Sequence, residues 1–253
     1  MKLLTFTIYQ YIIIFLSVLG IIGALRYGII PTIPHIILTV ILCIIIDGLF
    51  ELVKTKKFII TQSSIITGLI IGEVLSPAQK FHIPILVSLL AITSKHFINF
   101  GKWHVFNPAN FGLFIAMIIF SASNSWWTGS SGKLSIFLII AFGVFLGYKM
   151  RNLQLLLAFF ITHFVIYSIF ALIIQQGILN YALSINLYFM FFMIVEPMTT
   201  PKSKQGKIVY GILVAMLDFI LFLLLPQYDN FIFALVIVNS FVPVINAVFK
   251  KYS

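Results

Sequence analysis

Residues 94–112 read SKHFINFGKWHVFNPANFG. Two lysines, two histidines and three asparagines crowd here between runs built almost wholly from Ile, Leu and Phe. Pro108 fits the first turn of a helix, where a backbone N–H has no partner to lose. Asn107 then reads as the cap of that helix, whose first turn presents free N–H groups and the positive end of the helix dipole. Such an end suits an electron-rich carbonyl, a phosphate or a ring nitrogen. A capped loop at a membrane face is the other reading of the same residue types.

Outward from this stretch the chain is lipid-like on both sides. Of its 253 residues 61% are hydrophobic and 9% charged, where soluble domains carry about a quarter charged residues. Repeated apolar runs of membrane-spanning length make this a multi-pass membrane protein. A net charge of +10 would suggest nucleic acid for a soluble chain; here the positive residues fall in loops, so topology accounts for them and no nucleic-acid partner is expected. The single cysteine, Cys43, cannot build an iron–sulfur cluster or a thiolate metal site and reads as a core residue. Met1-Lys2 runs into a long apolar stretch without a small-residue cleavage site, which predicts a first span and not a signal peptide.

Ten spans are expected, near 8–25, 33–53, 58–75, 82–98, 108–124, 134–150, 153–175, 182–198, 207–225 and 230–249. With ten, one side collects Lys2, Lys54, Lys56, Lys57, Lys95, Lys102, Lys149, Arg151, Lys202, Lys204, Lys207, Lys250 and Lys251, and the other only Arg26, Lys80 and Lys133. Thirteen against three predicts both termini on the cytoplasmic side of the cell membrane. Five spans per half would make two related halves face opposite ways, as inverted repeats of roughly 1–132 and 133–253 within a single membrane domain. The third span, SSIITGLIIGEVLSPA, and the eighth, SINLYFMFFMIVEPMTTP, each start at a serine and end on a glutamate followed by proline. VFNPANFGLF has an echo in VNSFVPVINAV.

An acid in hydrocarbon costs about 2.5–3.5 kcal/mol. Asp47 and Glu51 share one face of the second span; Glu51 is within reach of Lys54 for an interfacial pair, while Asp47 lies deeper beside Gly48, which permits close approach. Glu73 and Glu196 sit beside helix-ending prolines, where carboxylates and freed carbonyls form a cation-coordinating set or a proton relay. Capping of a neighbouring half-helix is the alternative for both. Asp218 has no partner visible in the sequence. His163 is the sole mid-span histidine, since His35, His82, His96 and His104 fall near span ends; a haem is therefore not expected, and a hydrogen bond to a neighbouring helix is. Ser63, Ser64, Thr67, Gly68 and Gly72 form a small, polar seam, suited to helix contact or to a flat ligand.

Four ordered stretches resemble the NqrB/RnfD family, the membrane subunits of the sodium-pumping NADH:quinone oxidoreductase and of the Rnf complex. They are DGLFELVKTKKFIITQSSIITGLI, SKHFINFGKWHVFNPANFG, EPMTTPKSKQGKIVYGIL and NSFVPVIN. The resemblance implies an all-α flavoprotein of ten spans in a five-plus-five inverted fold, similar in outline to urea transporters. It implies a noncovalent riboflavin or FMN at the cytoplasmic side near Asn107, with His104 at a position where NqrB has asparagine. Asn110, Lys95, Thr67 and Gly68 complete the cofactor candidates. Gly48 matches a glycine lining the quinone region and Glu51 an acid linked to sodium uptake; Glu196 stands where the family has aspartate. With Glu73, Asp47 and Asp218 these are the ion or quinone candidates. The family also esterifies a second FMN to a threonine after span five, but SASNSWWTGSSGKLS lacks that motif, so no covalent flavin is expected, with Thr128 the nearest threonine. Trp126 and Trp127 there read as an interfacial aromatic belt.

Two functions stay open at this level. One is an electron-transfer subunit with a noncovalent flavin, working with other subunits or a soluble reductase, with quinone as a further partner and Na+ or H+ movement as the coupled process. The other is a transporter or channel for a small polar solute or ion, on the same scaffold without a redox cofactor. No glycine-rich nucleotide turn or P-loop occurs, so NADH or ferredoxin chemistry would have to come from a partner.

Overall fold

A helix that enters lipid must satisfy its backbone internally, and a chain this apolar does so with helices. A computed structural model describes residues 6–101 and 103–249; Lys2, Lys102, Lys250 and Lys251 of the charge pattern lie outside the described residues. In chain order the helices are α1 (Ile8–Tyr27), α2 (Ile29–Thr55), α3 (Gln62–Val74), α4 (His82–Phe97), α5 (Pro108–Phe120), α6 (Lys133–Lys149), α7 (Leu153–Ile173), α8 (Ile178–Ala182), α9 (Lys204–Leu224) and α10 (Asn230–Val248). A short hairpin of β1 (Asn99–Phe100) and β2 (Trp103–His104) precedes α5, and a π-helical turn, Phe189–Met193, precedes α9. Of these, α1, α2, α7, α9 and α10 are long and apolar enough to cross a membrane. Helix α5 starts at Pro108, as the sequence predicts.

The chain divides into two compact units, Met1–Ile98 with Pro108–Leu138, and Asn99–Asn107 with Ile139–Ser253. In the first, α2 packs on α3 and α4, α1 on α3, and α4 on α5. Lipid tails give no hydrophobic drive between spans, so close backbone approach has to supply the attraction. Gly68 provides it: a Cβ there would fall 2.5 Å from the Val40 Cα, and the Thr39 hydroxyl donates to the Gly68 carbonyl at 2.8 Å. Gly68 and Gly72, two of the five seam residues, thus lie against α2.

Helix α3 has 13 residues, about 20 Å at 1.5 Å per residue, too short for a hydrocarbon core of about 30 Å. Its last carbonyls are met by the chain after α5. Val74 O accepts from the amides of Ser125 at 2.9 Å and Trp126 at 3.2 Å, and Ser76 N donates to Ser123 O at 3.1 Å. Trp127 Nε1 donates to Gly72 O at 3.0 Å. Trp127 is 3% exposed and its ring lies against Gly23 of α1. This corrects the expected aromatic belt for Trp127: the indole is needed inside, as the donor that closes a broken helix.

In the second unit α7 packs on α9, and α9 on α10, around buried Phe159, Phe189, Tyr210 and Leu235. The expected eighth span is the departure. Residues 182–198 do not form one helix: α8 ends at Ala182, Asn186 Oδ1 accepts from the Phe189 amide at 3.0 Å to restart the helix, and the π turn stops at Met193. Pro197 and Pro201 follow and cannot supply helical donors. The freed carbonyls are taken by side-chain amides, Met193 O by Asn107 Nδ2 at 3.4 Å and Val195 O by Asn152 Nδ2 at 2.9 Å.

Because backbone, not a flexible side chain, meets Gly68, Gly68→Val should destabilise the protein by about 1–3 kcal/mol. The measurement is the urea midpoint of the detergent-solubilised protein, and an unchanged midpoint would mean that α2 and α3 do not meet there.

Candidate functional site

The hairpin pairs Asn99 with His104 and Phe100 with Trp103. It turns at Gly101, whose φ of +65° suits glycine. His104 Nδ1 lies 3.0 Å from Asn99 Oδ1; with a carbonyl oxygen facing it, Nδ1 carries the proton. Phe100, Trp103 and His104 form one wall of a cavity of about 340 Å³; Met198, Thr200 and Lys202 from the broken stretch, and Asn239, Pro243 and Asn246 from α10, form the others. That volume lies in the range of small-molecule and cofactor sites.

The cavity is built around what a proline removes. Pro243 has no N–H to give the Asn239 carbonyl four residues earlier. The Asn239 side chain is fully buried; its Oδ1 accepts from the Tyr210 hydroxyl at 2.6 Å, and its Nδ2 has no partner among the described residues. A buried donor left open in this way is costly unless a ligand or water meets it. At the mouth Lys202 Nζ lies 4.4 Å above the Trp103 ring, and the Lys202 amide donates to Asn246 Oδ1 at 3.0 Å. The site therefore combines aromatic faces and one fixed cation, with a buried, unpartnered amide on the helix that lines it. It suits a flat, electron-poor ring bearing carbonyls.

These walls lie mostly in the C-terminal half, where the model of the NQR2, RnfD, RnfE family matches residues 124–253. The chain belongs to that family. It is accordingly a multi-pass membrane subunit of an Nqr/Rnf-type electron-transport complex. No curated protein matches the chain at significant similarity. The NQR2/RnfD/RnfE match contains two of the stretches that carry the resemblance, EPMTTPKSKQGKIVYGIL and NSFVPVIN, and with them Thr200, Lys202, Asn239 and Asn246.

Of the cofactor candidates, His104 lines the cavity. Asn107, 2% exposed, belongs to the same unit and bonds Met193 O. Asn110, Lys95, Thr67 and Gly68 belong to the first unit. Thr67 Oγ1 donates to Ser63 O at 2.9 Å, Gly68 meets α2, and Asn110 is fully buried in α5. Lys95 joins Asp47, which accepts from Lys95 Nζ at 2.9 and 3.0 Å, from His96 Nε2 at 2.7 Å and from Thr61 Oγ1 at 2.6 Å. Lys54 Nζ lies 2.7 Å from His96 Nδ1. An ammonium can only donate, so Nδ1 accepts and the neutral ring gives its Nε2–H to Asp47. Lys54 is thus turned to His96, correcting the expected pair with Glu51, for which no ion pair exists among the described residues. Gly48 lies against the Phe58 ring.

Asp218 also gains partners that its sequence neighbourhood does not reveal. Its Oδ2 accepts from His163 Nδ1 and from the Tyr167 hydroxyl, both at 3.2 Å, and its Oδ1 from Asn230 Nδ2. The expected hydrogen bond from His163 to a neighbouring helix is therefore present, and Asp218, which shows no partner in the sequence, receives three. Glu73 is fully buried and accepts from the equally buried Thr128 hydroxyl at 3.4 Å. Glu196 is half-buried, and its backbone carbonyl accepts from the amides of Thr199 and Thr200.

Trp103, Lys202, Asn239 and Asn246 were not singled out from the sequence. Asn239 carried a signal: an asparagine deep in an apolar span, four residues before a proline.

Breaking one side of a buried ion pair strands a charge, whereas replacing both sides need not. Lys95→Met should cost about 3–5 kcal/mol, and Lys95→Met with Asp47→Asn should recover a large part of it. Additive losses in that double-mutant cycle would mean that the two residues are not coupled.

Proposed function

We propose that this subunit holds a noncovalent flavin, riboflavin or FMN, in the cavity between the β1–β2 hairpin and α10, and uses it to pass electrons within its complex. The observation that carries this reading is a ligand-sized cavity with an aromatic and cationic rim, lined in part by Asn239, whose buried Nδ2 has no partner among the described residues. A flavin ring has carbonyls to accept from Asn239 and a face to lie against Phe100 or Trp103, and Lys202 would favour a ring carrying negative charge. The flavin would supply one- and two-electron redox chemistry. The protein would supply position, exclusion of water and a tuned potential.

The scaffold proposed for it is the ten-element, five-plus-five inverted repeat of about 1–132 and 133–253, with both termini cytoplasmic. Supporting this, α2 and α4 of the first unit pair Asp47 with His96, and α7 and α9 of the second pair His163 with Asp218. Under a five-helix repeat these are corresponding helices, with acid and base exchanged. Ion coupling, to sodium or protons, would fall to Glu73 and Glu196, the carboxylates at the two broken helices. Asp47, Gly48 and Glu51 remain the proposed quinone- or sodium-side residues, and Asp218 a further ion candidate. Electrons would come from partner subunits or a soluble reductase.

The protein extracted in mild detergent should absorb in the near ultraviolet and blue and release its flavin on denaturation. Asn239→Leu in a Tyr210→Phe background removes the donor without burying a charge or stranding the Tyr210 hydroxyl, so relative to Tyr210→Phe alone it should lower flavin affinity by about tenfold or more, roughly the worth of one hydrogen bond. A colourless protein that binds no added flavin would overturn the proposal and favour solute passage.

A further inference from the structure

Three cations meet at one end of the second unit. Arg151 follows α6, and Lys204 and Lys207 stand at the start of α9, at a spacing that makes them neighbours on the helix surface. Lys207 Nζ donates to Arg151 O at 2.9 Å, so the two segments lie side by side. Arg151 and Lys204 are exposed and Lys207 is half-buried. The ion pairs among the described residues involve none of the three. Topology asks for basic residues on one side of a membrane, but not for lysines at this point of a helix. A helix starts at its positive end, where cations are disfavoured, and no acid stands in the first turn of α9 to offset them. Arg151 sits at φ +55°, a conformation that goes more often to glycine or asparagine. Three cations held together against these costs call for an anion from outside the chain.

What lies along α9 below the cations narrows the anion. Ile208, Ile212, Met216 and Ile220 follow Lys204 at steps of one helical turn, each stacked on the one before. Ile208 is 40% exposed, Met216 45% and Ile220 44%, whereas Tyr210, Val214, Asp218 and Leu221 turn into the core. From Lys204 to Met216 the helix rises about 18 Å at 1.5 Å per residue, close to the depth of one leaflet in a hydrocarbon core of about 30 Å. A soluble anion would meet the cations and leave this stripe bare. A phosphate that carries an apolar chain meets both.

We infer that Arg151, Lys204 and Lys207 form a binding site for an anionic phospholipid, with its phosphate between the three cations and an acyl chain along Ile208, Ile212 and Met216. None of these residues lines the proposed flavin cavity, so the inference does not rest on the flavin reading. The bound lipid would cancel the repulsion among the cations and tie the segment after α6 to the start of α9.

The test uses the full chain in mild detergent, with phosphatidylglycerol and phosphatidylcholine of the same acyl chains as probes and native mass spectrometry as the readout. Phosphatidylglycerol should be retained about tenfold or more over phosphatidylcholine, with a preference that shrinks as the salt of the wash rises. Lys204→Gln with Lys207→Gln should erase most of that preference, and Lys204→Arg with Lys207→Arg should keep it. Lys133→Gln, at the other end of α6, should leave it unchanged. Short-chain phosphatidylglycerol should displace the bound lipid at concentrations where glycerol phosphate, which has no chains, does not. Equal retention of the two lipids, or a preference that survives the paired glutamine substitutions, overturns the site. Displacement by glycerol phosphate at the same concentration overturns the lipid in favour of a soluble anion. If no lipid is preferred, but an acidic partner subunit co-purifies with the native chain and is lost from the glutamine variant, the surface is a protein contact and the inference falls.

Discussion

Every interrupted helix in this chain leaves carbonyls that hydrocarbon cannot solvate, and meeting them governs what the neighbouring segments must do. Where α3 stops, the amides of Ser125 and Trp126 and the indole of Trp127 take the carbonyls of Val74 and Gly72. Where the π turn stops, the side-chain amides of Asn107 and Asn152 take those of Met193 and Val195. An unmet group at such depth costs several kcal/mol, so these contacts come before any functional use of the same residues. Asn107 is accordingly scaffold before it is site.

The buried charges follow the same logic. Asp47 lies in α2 with four hydrogen bonds from three side chains, and Asp218 in α9 is held by His163, Tyr167 and Asn230. Each carboxylate joins two spans that apolar side chains alone would join only weakly in lipid. Saturation of this kind gives Asp47 and Asp218 a structural role beside the one proposed for them at an ion or quinone site.

Much of the helical frame was legible because its signals are local. Span length, the proline that opens α5 and the apolar runs placed nine of the helices near their observed positions. The eighth expected span failed because hydropathy measures composition and not continuity: SINLYFMFFMIVEPM is apolar enough to span, yet Asn186 restarts the helix and Pro197 ends it. Partner choice was illegible for a different reason. His163 and Asp218 are 55 residues apart, and Trp127 and Gly72 likewise, so nothing in the local pattern of either reveals the other. At the cavity the sequence found His104 and overlooked Asn239, because an asparagine in an apolar span reads equally as interhelical glue. Only the missing partner of its Nδ2 separates the two.

That missing partner falls where membrane physics expects a site. Irregular backbone is tolerated within a membrane protein only where protein buries it or a cavity faces it, and the stretch between the π turn and α9 contributes a wall to the cavity. Helix α10 adds the complementary defect, a proline that frees a carbonyl next to an amide that has given only its oxygen. A buried donor without a partner and a carbonyl freed by proline, both on a helix that lines the cavity, are costly unless a ligand or water meets them. The proposed planar ligand would supply partners for them. The arrangement is most economical if the chain folds around such a ligand, so that occupancy and stability rise together.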